Sequence, residues 1–565
     1  MTGRKAPFTG GWARRALLLL LTLALVASAC GGKKAGSEDE ADNETEQGVE
    51  TGLEEAGDPQ RGGKIVYGLE AETDGGWCLS DSQLAISGIQ VAKTIYDTLT
   101  MPNGEGEYKP YLAESFDHNP EYTEWTFKLR EGIKFHDGSD LNAEVVKNNF
   151  DAYRGKYTGR TSALFTFVFT NLESVEVVDE LTVQFNMIKP WIAFPGFVYS
   201  SGRTGIMAQA QLDDPDNCNS DLIGTGPFSL KDWNRNQNLT AVANPDYWRE
   251  APDGKPFPYL AEIEYRPITE GAQRLNALQS GDIQAMHTSG AKEIQTLRDD
   301  VAAGNANILE SNKFGEVTYI MMNSGKPAFA DINIRKAFQL GIDRAEMNET
   351  ISNNLPVLAE GPYAPGNLGH LDDTGWPDVD VAEAKKLVDA YEAANGEISL
   401  TLTTTSDPEV IRTAELVQSM AKEFGVDLDL KSVDQATLIN LAISGDYDIT
   451  LFRNHPGGDP DTQYVWWKSD SVVNFGRIKS PEIDGFLDAG RSETDPAKRQ
   501  KIYEDLNQTF TDQAWNIWMW YTPWAVGLSS DVHGVLGPDL PDEGGTPFPS
   551  LATGHSVLGM WTEAD

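Results

Sequence analysis

Residues 380–452 read DVAEAKKLVDAYEAANGEISLTLTTTSDPEVIRTAELVQSMAKEFGVDLDLKSVDQATLINLAISGDYDITLF, and their periodicity decides the fold class. Asp380 followed by Glu383 has the form of a capping box. Val381, Ala384, Leu387, Val388 and Tyr391 then share one stripe of a helix that Gly396 ends. Ile398 to Thr405 alternates as a strand. Asp407-Pro408 opens a second helix with Val410, Ile411, Ala414, Val417 and Ala421 turned inward, and Gly425 closes it. Val426 to Val433 and Tyr447 to Phe452 are strands flanking a further short helix. Strand, helix, strand, helix, strand at this spacing is an α/β lobe with right-handed crossovers.

Upstream the pattern changes. Lys64 to Glu70 is a short strand after the Gly62-Gly63 turn, and Glu124 to Arg130 places Trp125, Phe127 and Leu129 on one face of another. After His136-Asp137-Gly138 a helix starts with Asn142 as N-cap, and Leu141 with Val146 can form its hydrophobic staple. Ser174 to Val178 and Leu181 to Met187 form a hairpin about Asp179-Glu180. Two differently built lobes imply a binding cleft between them. Downstream, Trp515, Trp518, Trp520, Tyr521 and Trp524 crowd into ten residues. No repeat of 20 to 50 residues stands out.

The whole chain has 565 residues, 40% of them hydrophobic and 23% charged, which suits two or three packed lobes and excludes disorder throughout. A net charge of −41 repels phosphate backbones and anionic lipid, which disfavours a nucleic-acid binder or a polybasic membrane-surface protein. Three cysteines exclude a disulfide-dense scaffold and a four-cysteine zinc site.

Residues 1–29 read as an export signal. Arg4, Lys5, Arg14 and Arg15 precede an apolar run, Ala16 to Ala29, whose fourteen residues span about 21 Å as a helix, short of the roughly 30 Å hydrocarbon core. Ala27-Ser28-Ala29-Cys30-Gly31 resembles the lipobox of bacterial lipoproteins, which implies a lipidated Cys30; ordinary cleavage at Ala-x-Ala is the alternative. Residues 30–60 read as a disordered tether, with ten acidic residues and no apolar period. With the four signal cations removed, the exported chain carries about −45. Cys78 and Cys218 remain as an even pair in an oxidising compartment and are expected to form a disulfide; two separate buried thiols are the alternative.

Catalytic patterns are weak. The seven histidines (118, 136, 287, 370, 455, 533 and 555) form neither a His-x₃-His pair nor an HExxH run, so no metal site is expected. There is no GxSxG elbow and no GxxxxGK[ST] phosphate loop. Ser289-Gly290-Ala291-Lys292 matches SxxK without a KTG or SDN partner, which carries no catalytic weight. Neither an enzyme activity nor a cofactor is expected.

Several segments occur together in order: Lys93 to Leu99 (KTIYDTL), Leu112 to Ser115, Trp125 to Gly138 (WTFKLREGIKFHDG), Gly224 to Phe228 (GTGPF), Asn244 to Trp248 (NPDYW), Asn276 to Ile283, Ile334 to Phe338 and Ile342-Asp343-Arg344. From about Arg61 to about Tyr521 the chain thereby resembles the family 5 extracellular solute-binding proteins, the peptide/nickel-type receptors of ABC importers. The resemblance implies an α/β, two-lobed periplasmic-binding-protein-like fold with the ligand cleft between lobes. It maps lobe I to 61–317 with an inserted subdomain near 94–195, lobe II to 318–518, and a return to lobe I with a C-terminal tail over 519–565. Hinge strands are expected near Tyr319–Asn323 and Ile517–Tyr521.

The implied function is a lipid-anchored substrate-binding component outside the cytoplasmic membrane, acting as a monomer and delivering a peptide or peptide-like solute to ABC permease subunits. The alternatives are a receptor for an oligosaccharide, opine-like compound or metal chelate, or a surface enzyme or sensor on the same scaffold. Peptide-binding members carry an aspartate for the peptide ammonium in a GW-x-x-Asp-x-x-Asp-Pro segment. Aligned without gaps on Asp459-Pro460, the stretch Phe452 to Asp461 puts Pro456 at that aspartate and Arg453 at the tryptophan; a short gap restores Asp459 to the role. The expected cleft residues are Trp77, Arg453, His455, Asp459, Trp515 and Trp518. Arg453 would favour a carboxylate or another planar anion, with a salt bridge to Asp459 or Asp461 as the structural alternative.

Overall fold

Parallel strands with helical crossovers build the centre of both lobes, and two long antiparallel strands join them. The computed structural model describes residues 50–51 and 57–565, apart from 74, 163–164, 455–456 and 564–565. The signal segment, Cys30 and most of the tether lie outside the described residues, as do His455 and Pro456. Within the stretch read as tether, Glu50 and Thr51 pair antiparallel with Leu309 and Ile308.

Lobe I opens with β1 (Gly62–Leu69) and α1 (Ile86–Ile95). A separate four-stranded antiparallel sheet follows, formed by β2 (Ala113–His118), β3 (Glu124–Leu129), β4 (Leu172–Asp179) and β5 (Thr182–Met187). Trp125, Phe127 and Leu129 are buried along β3, and α2 (Ala143–Tyr153) packs on this sheet, capped by Asn142, which accepts from the Val145 N–H. The chain then returns through β6 (Phe228–Asn234), β7 (Asn238–Ala243), β8 (Leu260–Pro267), α3 (Gly271–Ser280), β9 (Ala285–Thr288) and α4 (Ala291–Ala302).

The crossing strand β10 (Ala306–Met322) leads into α5 (Ile332–Gly341) of lobe II. There α6 (Val381–Asn395), β11 (Ser399–Thr405), α7 (Pro408–Glu423), β12 (Asp427–Val433) and β13 (Ile449–Asn454) alternate. Asp380 caps α6 by accepting from the Glu383 N–H, and Asp407 caps α7 by accepting from Glu409 and Val410. Helices α8 (Pro481–Ser492) and α9 (Pro496–Asp512) precede the second crossing strand, β14 (Asn516–Ser529). The strand expected over Tyr447–Phe452 runs two residues further, because Arg453 and Asn454 still pair with Thr318 and Val317 of β10.

The main sheet runs β12-β11-β13-β10-β14-β9-β1-β8-β7-β6. β1 is parallel to β8 and β9, and β11 is parallel to β12 and β13. Strands β10 and β14 pair along almost their whole length, with a register break between Ser311 and Glu316. On one side of that break β14 pairs with β9 of lobe I; on the other, β10 pairs with β13 of lobe II. The break lies just N-terminal to the hinge expected at Tyr319–Asn323. Phe314 inside it has a left-handed backbone (φ 51°) and is buried against Phe548, whose ring centroid is 4.8 Å away.

Four of the family-type motifs, those around Ile95, His136, Gly224 and Trp248, form the scaffold around the end of α1. A Cβ at Gly224 or Gly226 would collide with the Ile95 carbonyl, so only glycine allows this close approach. His136 is clasped by the same bend, accepting from the Gly224 N–H at 3.2 Å and bonding the Gly226 carbonyl at 3.0 Å. Thr225, Trp248 and Tyr247 all donate to buried Asp97. Burial lifts the Asp97 pKa to about 6 against the pull of those donors. A disulfide joins Cys78 to Cys218, with Cα atoms 5.0 Å apart, and both sit in the lobe I core. The chain beyond β14 packs back on lobe I: Gln90 donates to the His555 carbonyl, and Lys93 to Gly554 O.

Candidate functional site

Four side chains emerge at the carboxyl ends of parallel strands, where open α/β sheets hold their ligands. Glu70 follows β1 and Ser289 follows β9 in lobe I; Asp407 follows β11 and Arg453 ends β13 in lobe II. Arg453 Nη1 donates to Ser289 Oγ at 3.3 Å, a contact between the lobes, and lies 3.5 Å from Glu316 Oε2. Its guanidinium also sits 5.8 Å from the Trp524 ring, and Trp524 Nε1 donates to Glu316 at 3.1 Å. Glu316 and Trp524 belong to the crossing strands and are 1% exposed. Arg453 retains 39% of its side-chain exposure, so it stands in a confined crevice that water still reaches.

The charges in this crevice are unevenly placed. Burial works against the Arg453 charge, but Glu316, Glu70, Asp407 and Glu409 outweigh it and hold its pKa above the usual range. Burial raises the Glu409 carboxyl, and Glu293 of lobe I and Asp407 add to the effect. In lobe I, Arg203 and Lys93 are neighbouring cations held by Leu84 O and Gly554 O. Burial lowers Arg203 to about 10, with Glu316 as the main opposing charge. Burial and then the neighbouring Arg203 lower Lys93 to about 7. The Glu316–Arg453 pair is therefore flanked by carboxylates of both lobes.

Of the expected cleft residues, the structure places Arg453 here. Trp77 is 1% exposed in the lobe I core, edge-on to Trp233. Trp518 is fully buried among Tyr319, Trp467 and Phe510. Trp515 lies under the Arg335 guanidinium, 3.9 Å from its ring centroid, and Arg335 donates to Phe329 O, Ala330 O and Gln513 O. Asp459 is held by both arms of Arg499 at 2.7 Å, which leaves it bound to scaffold instead of open to a ligand. Arg453 pairs with neither Asp459 nor Asp461; Asp461 takes Arg491 Nε at 2.9 Å and Trp191 Nε1 at 2.7 Å. His455 and Pro456 fall outside the described residues.

Glu70, Arg203, Ser289, Glu316, Asp407, Glu409 and Trp524 escaped the sequence reading. Strand-end position could have flagged Glu70 and Asp407, at the ends of the strands read over Lys64 to Glu70 and Ile398 to Thr405, whereas the strand before Ser289 is buried throughout and shows no alternation. Nothing local marks Glu316 or Arg203. Among the described residues no cluster of histidine, cysteine or acidic side chains is arranged to hold a metal, and no helix is long and apolar enough to cross a membrane.

Comparison with known proteins gives this geometry a context. The sequence profile of the bacterial extracellular solute-binding proteins, family 5 (middle region), matches residues 107–475. A probable D,D-dipeptide-binding periplasmic protein of Escherichia coli is 25% identical over 452 residues, covering 77% of this chain and 84% of that protein. The periplasmic binding protein AgaA of A. tumefaciens R10, solved with agropinic acid, superposes with a TM-score of 0.78 at 25% identity, covering 89% of this chain and 99% of that one. The binding protein DppA of Helicobacter pylori, solved with the peptide STSA, gives 0.77 at 20% identity with the same coverage.

Proposed function

Because the chain belongs to the bacterial extracellular solute-binding proteins, family 5, we propose that it captures a peptide or peptide-like zwitterion in the crevice around Arg453. It is a substrate-binding protein of the ABC-importer type and acts outside the cytoplasmic membrane. The observation that carries the ligand reading is the Arg453–Ser289 contact: a lobe II cation reaches a lobe I hydroxyl beside both crossing strands. A solute held there touches both lobes only when they are closed, so binding favours closure. The register break between Ser311 and Glu316, with the facing segment of β14, is the pivot in this reading.

Lipid on Cys30 tethers the folded body to the membrane, a reading supported by Ala27-Ser28-Ala29-Cys30, and the protein works as a monomer without turning its ligand over. The agropinic-acid complex of AgaA favours a second reading, an opine-like ligand. Titration of the exported chain with a tryptic peptide digest tests the main reading, with Trp fluorescence as the readout and mass spectrometry of the bound fraction. Enrichment of intact peptides is the expected result. Enrichment of non-peptide solutes alone from a mixed extract overturns the peptide reading, and hydrolysed products in the bound fraction overturn the non-enzymatic one.

A further inference from the structure

The register break between β10 and β14 has a cause in the sequence. Ser311 pairs with Trp524 and Glu316 with Thr522, so residues 312–315 of β10 stand against the single residue Pro523. Proline offers no N–H to the facing strand, which is therefore free to bulge. Within the bulge Phe314 is a bulky residue held left-handed at φ 51° and buried. Its N–H donates to Pro365 O of lobe II at 3.0 Å, and its carbonyl accepts from Ser550 Oγ of the tail at 3.0 Å. Its ring meets Phe548 of the tail. A Cβ at Gly106 of the inserted subdomain would come within 2.8 Å of that ring, and one at Gly366 of lobe II within 3.2 Å. Beside this seat the Gly458 N–H of lobe II donates to Tyr108 OH of the inserted subdomain at 2.9 Å, and a Cβ at Gly458 would strike Gly106 O. One aromatic ring thus fills the corner where a crossing strand, the inserted subdomain, lobe II and the tail converge.

We propose that Phe314 is the wedge of the hinge, a positioning residue that is left-handed while lobe II meets the inserted subdomain and turns extended when the two part. This deepens the function proposed above and rests on it for the pivot at the register break. The seated ring favours the joined arrangement, and the left-handed backbone opposes it. The balance of the two sets how readily the lobes separate, and through that equilibrium how tightly a solute between them is held.

Hydrogen exchange of the ligand-free exported chain tests this without any solute. It follows the amides of Phe314 and Gly458, whose bonds reach across the boundary, and that of Ile65 in the buried centre of β1, which opens only with lobe I itself. In the wild-type protein one motion releases both boundary amides, so their protection should agree within about 3-fold. A larger difference overturns the proposal without any variant having to fold. Phe314→Ala loses the ring and keeps the backbone cost, so Gly458 should lose protection by about 10-fold or more while Ile65 stays within about 3-fold. Phe314→Gly removes the backbone cost as well, and Gly458 should regain about 3-fold of that loss. Equal loss at Gly458 and Ile65 makes Phe314 ordinary scaffold and overturns its role, as does unchanged protection of Gly458. Alanine and glycine variants that behave alike at Gly458 overturn the backbone switch. If the wild-type chain captures no peptide from a tryptic digest, the peptide reading falls, and the same three amides still decide the wedge.

Discussion

Arg453 has scaffold on one side and open water on the other, and its neighbours predict how a truncation behaves. Without it, Glu316 keeps the Trp524 N–H as a donor, so the crossing strands remain satisfied. Arg453→Ala should weaken solute binding by about 2 kcal/mol or more while leaving the melting temperature of the ligand-free protein nearly unchanged. Normal affinity with a melting temperature several degrees lower would show that Arg453 is structural. His555 gives a different residue-scale prediction. Its Nδ1 bonds Ser556 O and its Nε2 accepts from Tyr67 OH, which fixes a neutral ring, and burial lowers its pKa from 6.5 to about 4. Between those values the unfolded chain binds the proton that the folded one refuses. Stability should therefore fall as pH drops through that window, by up to about 3 kcal/mol from His555 alone, and buried His287 pushes the same way. Urea unfolding between pH 7 and 4.5 measures this, and an identical slope in His555→Gln would refute the assignment.

Among the elements, the Cys78–Cys218 bridge has the clearest thermodynamic consequence. It ties the segment before α1 to the loop that leads into the Gly224 bend, the cysteines being 140 positions apart in sequence. Closing so long a loop restricts the unfolded chain by about 4–5 kcal/mol on the chain-entropy account. Both cysteines sit in one lobe, so the bridge stiffens lobe I without restraining closure. Thiol titration of the unfolded, non-reduced protein should find no free thiol among these two, and reduction should lower the melting temperature without changing how far the lobes close. Two free thiols per chain would contradict the bridge.

At the scale of the whole molecule, the inserted subdomain meets lobe II through a dry clasp. Trp191 donates to Asp461 across the boundary, Ile192 N–H to Arg491 O at 3.1 Å, and Gly458 N–H to Tyr108 OH at 2.9 Å. Arg491 lies flat on the Tyr464 ring, 3.5 Å from its centroid, and 4.7 Å from that of Trp191. The main hydrophobic core runs from lobe I into Tyr319 and Trp518 of the crossing strands and on to Trp467. Small-angle scattering should show a smaller radius of gyration once a binding peptide saturates the ligand-free protein. Trp191→Phe removes one charge-assisted hydrogen bond from the clasp and should leave the ligand-free protein more open, with affinity reduced about tenfold. An unchanged radius on saturation would remove closure from the mechanism, and an unchanged affinity in Trp191→Phe would remove the clasp.

The sequence by itself determined the elements and their order. Capping residues, strand alternation and glycine-closed helices mark α6, β11, α7 and β12 because these depend on neighbours within a few positions. The motif runs likewise pointed to the family, and those around Asp97, His136, Gly224 and Trp248 form a packing node at the end of α1. What only the tertiary structure decided is the site. Trp77 and Trp518 are buried in the core and Trp515 stacks beneath Arg335, positions that sequence could not separate from a cleft wall, since an aromatic at a strand end reads alike in a core and in a cleft. Asp459 was open to a ligand role until Arg499, forty residues away in sequence, was found holding it. Ser289, Glu316 and Arg453 come from three distant stretches of chain, and they meet because β10 and β14 cross between lobes. Local periodicity carries no information about such meetings; they follow from which strands the fold makes adjacent.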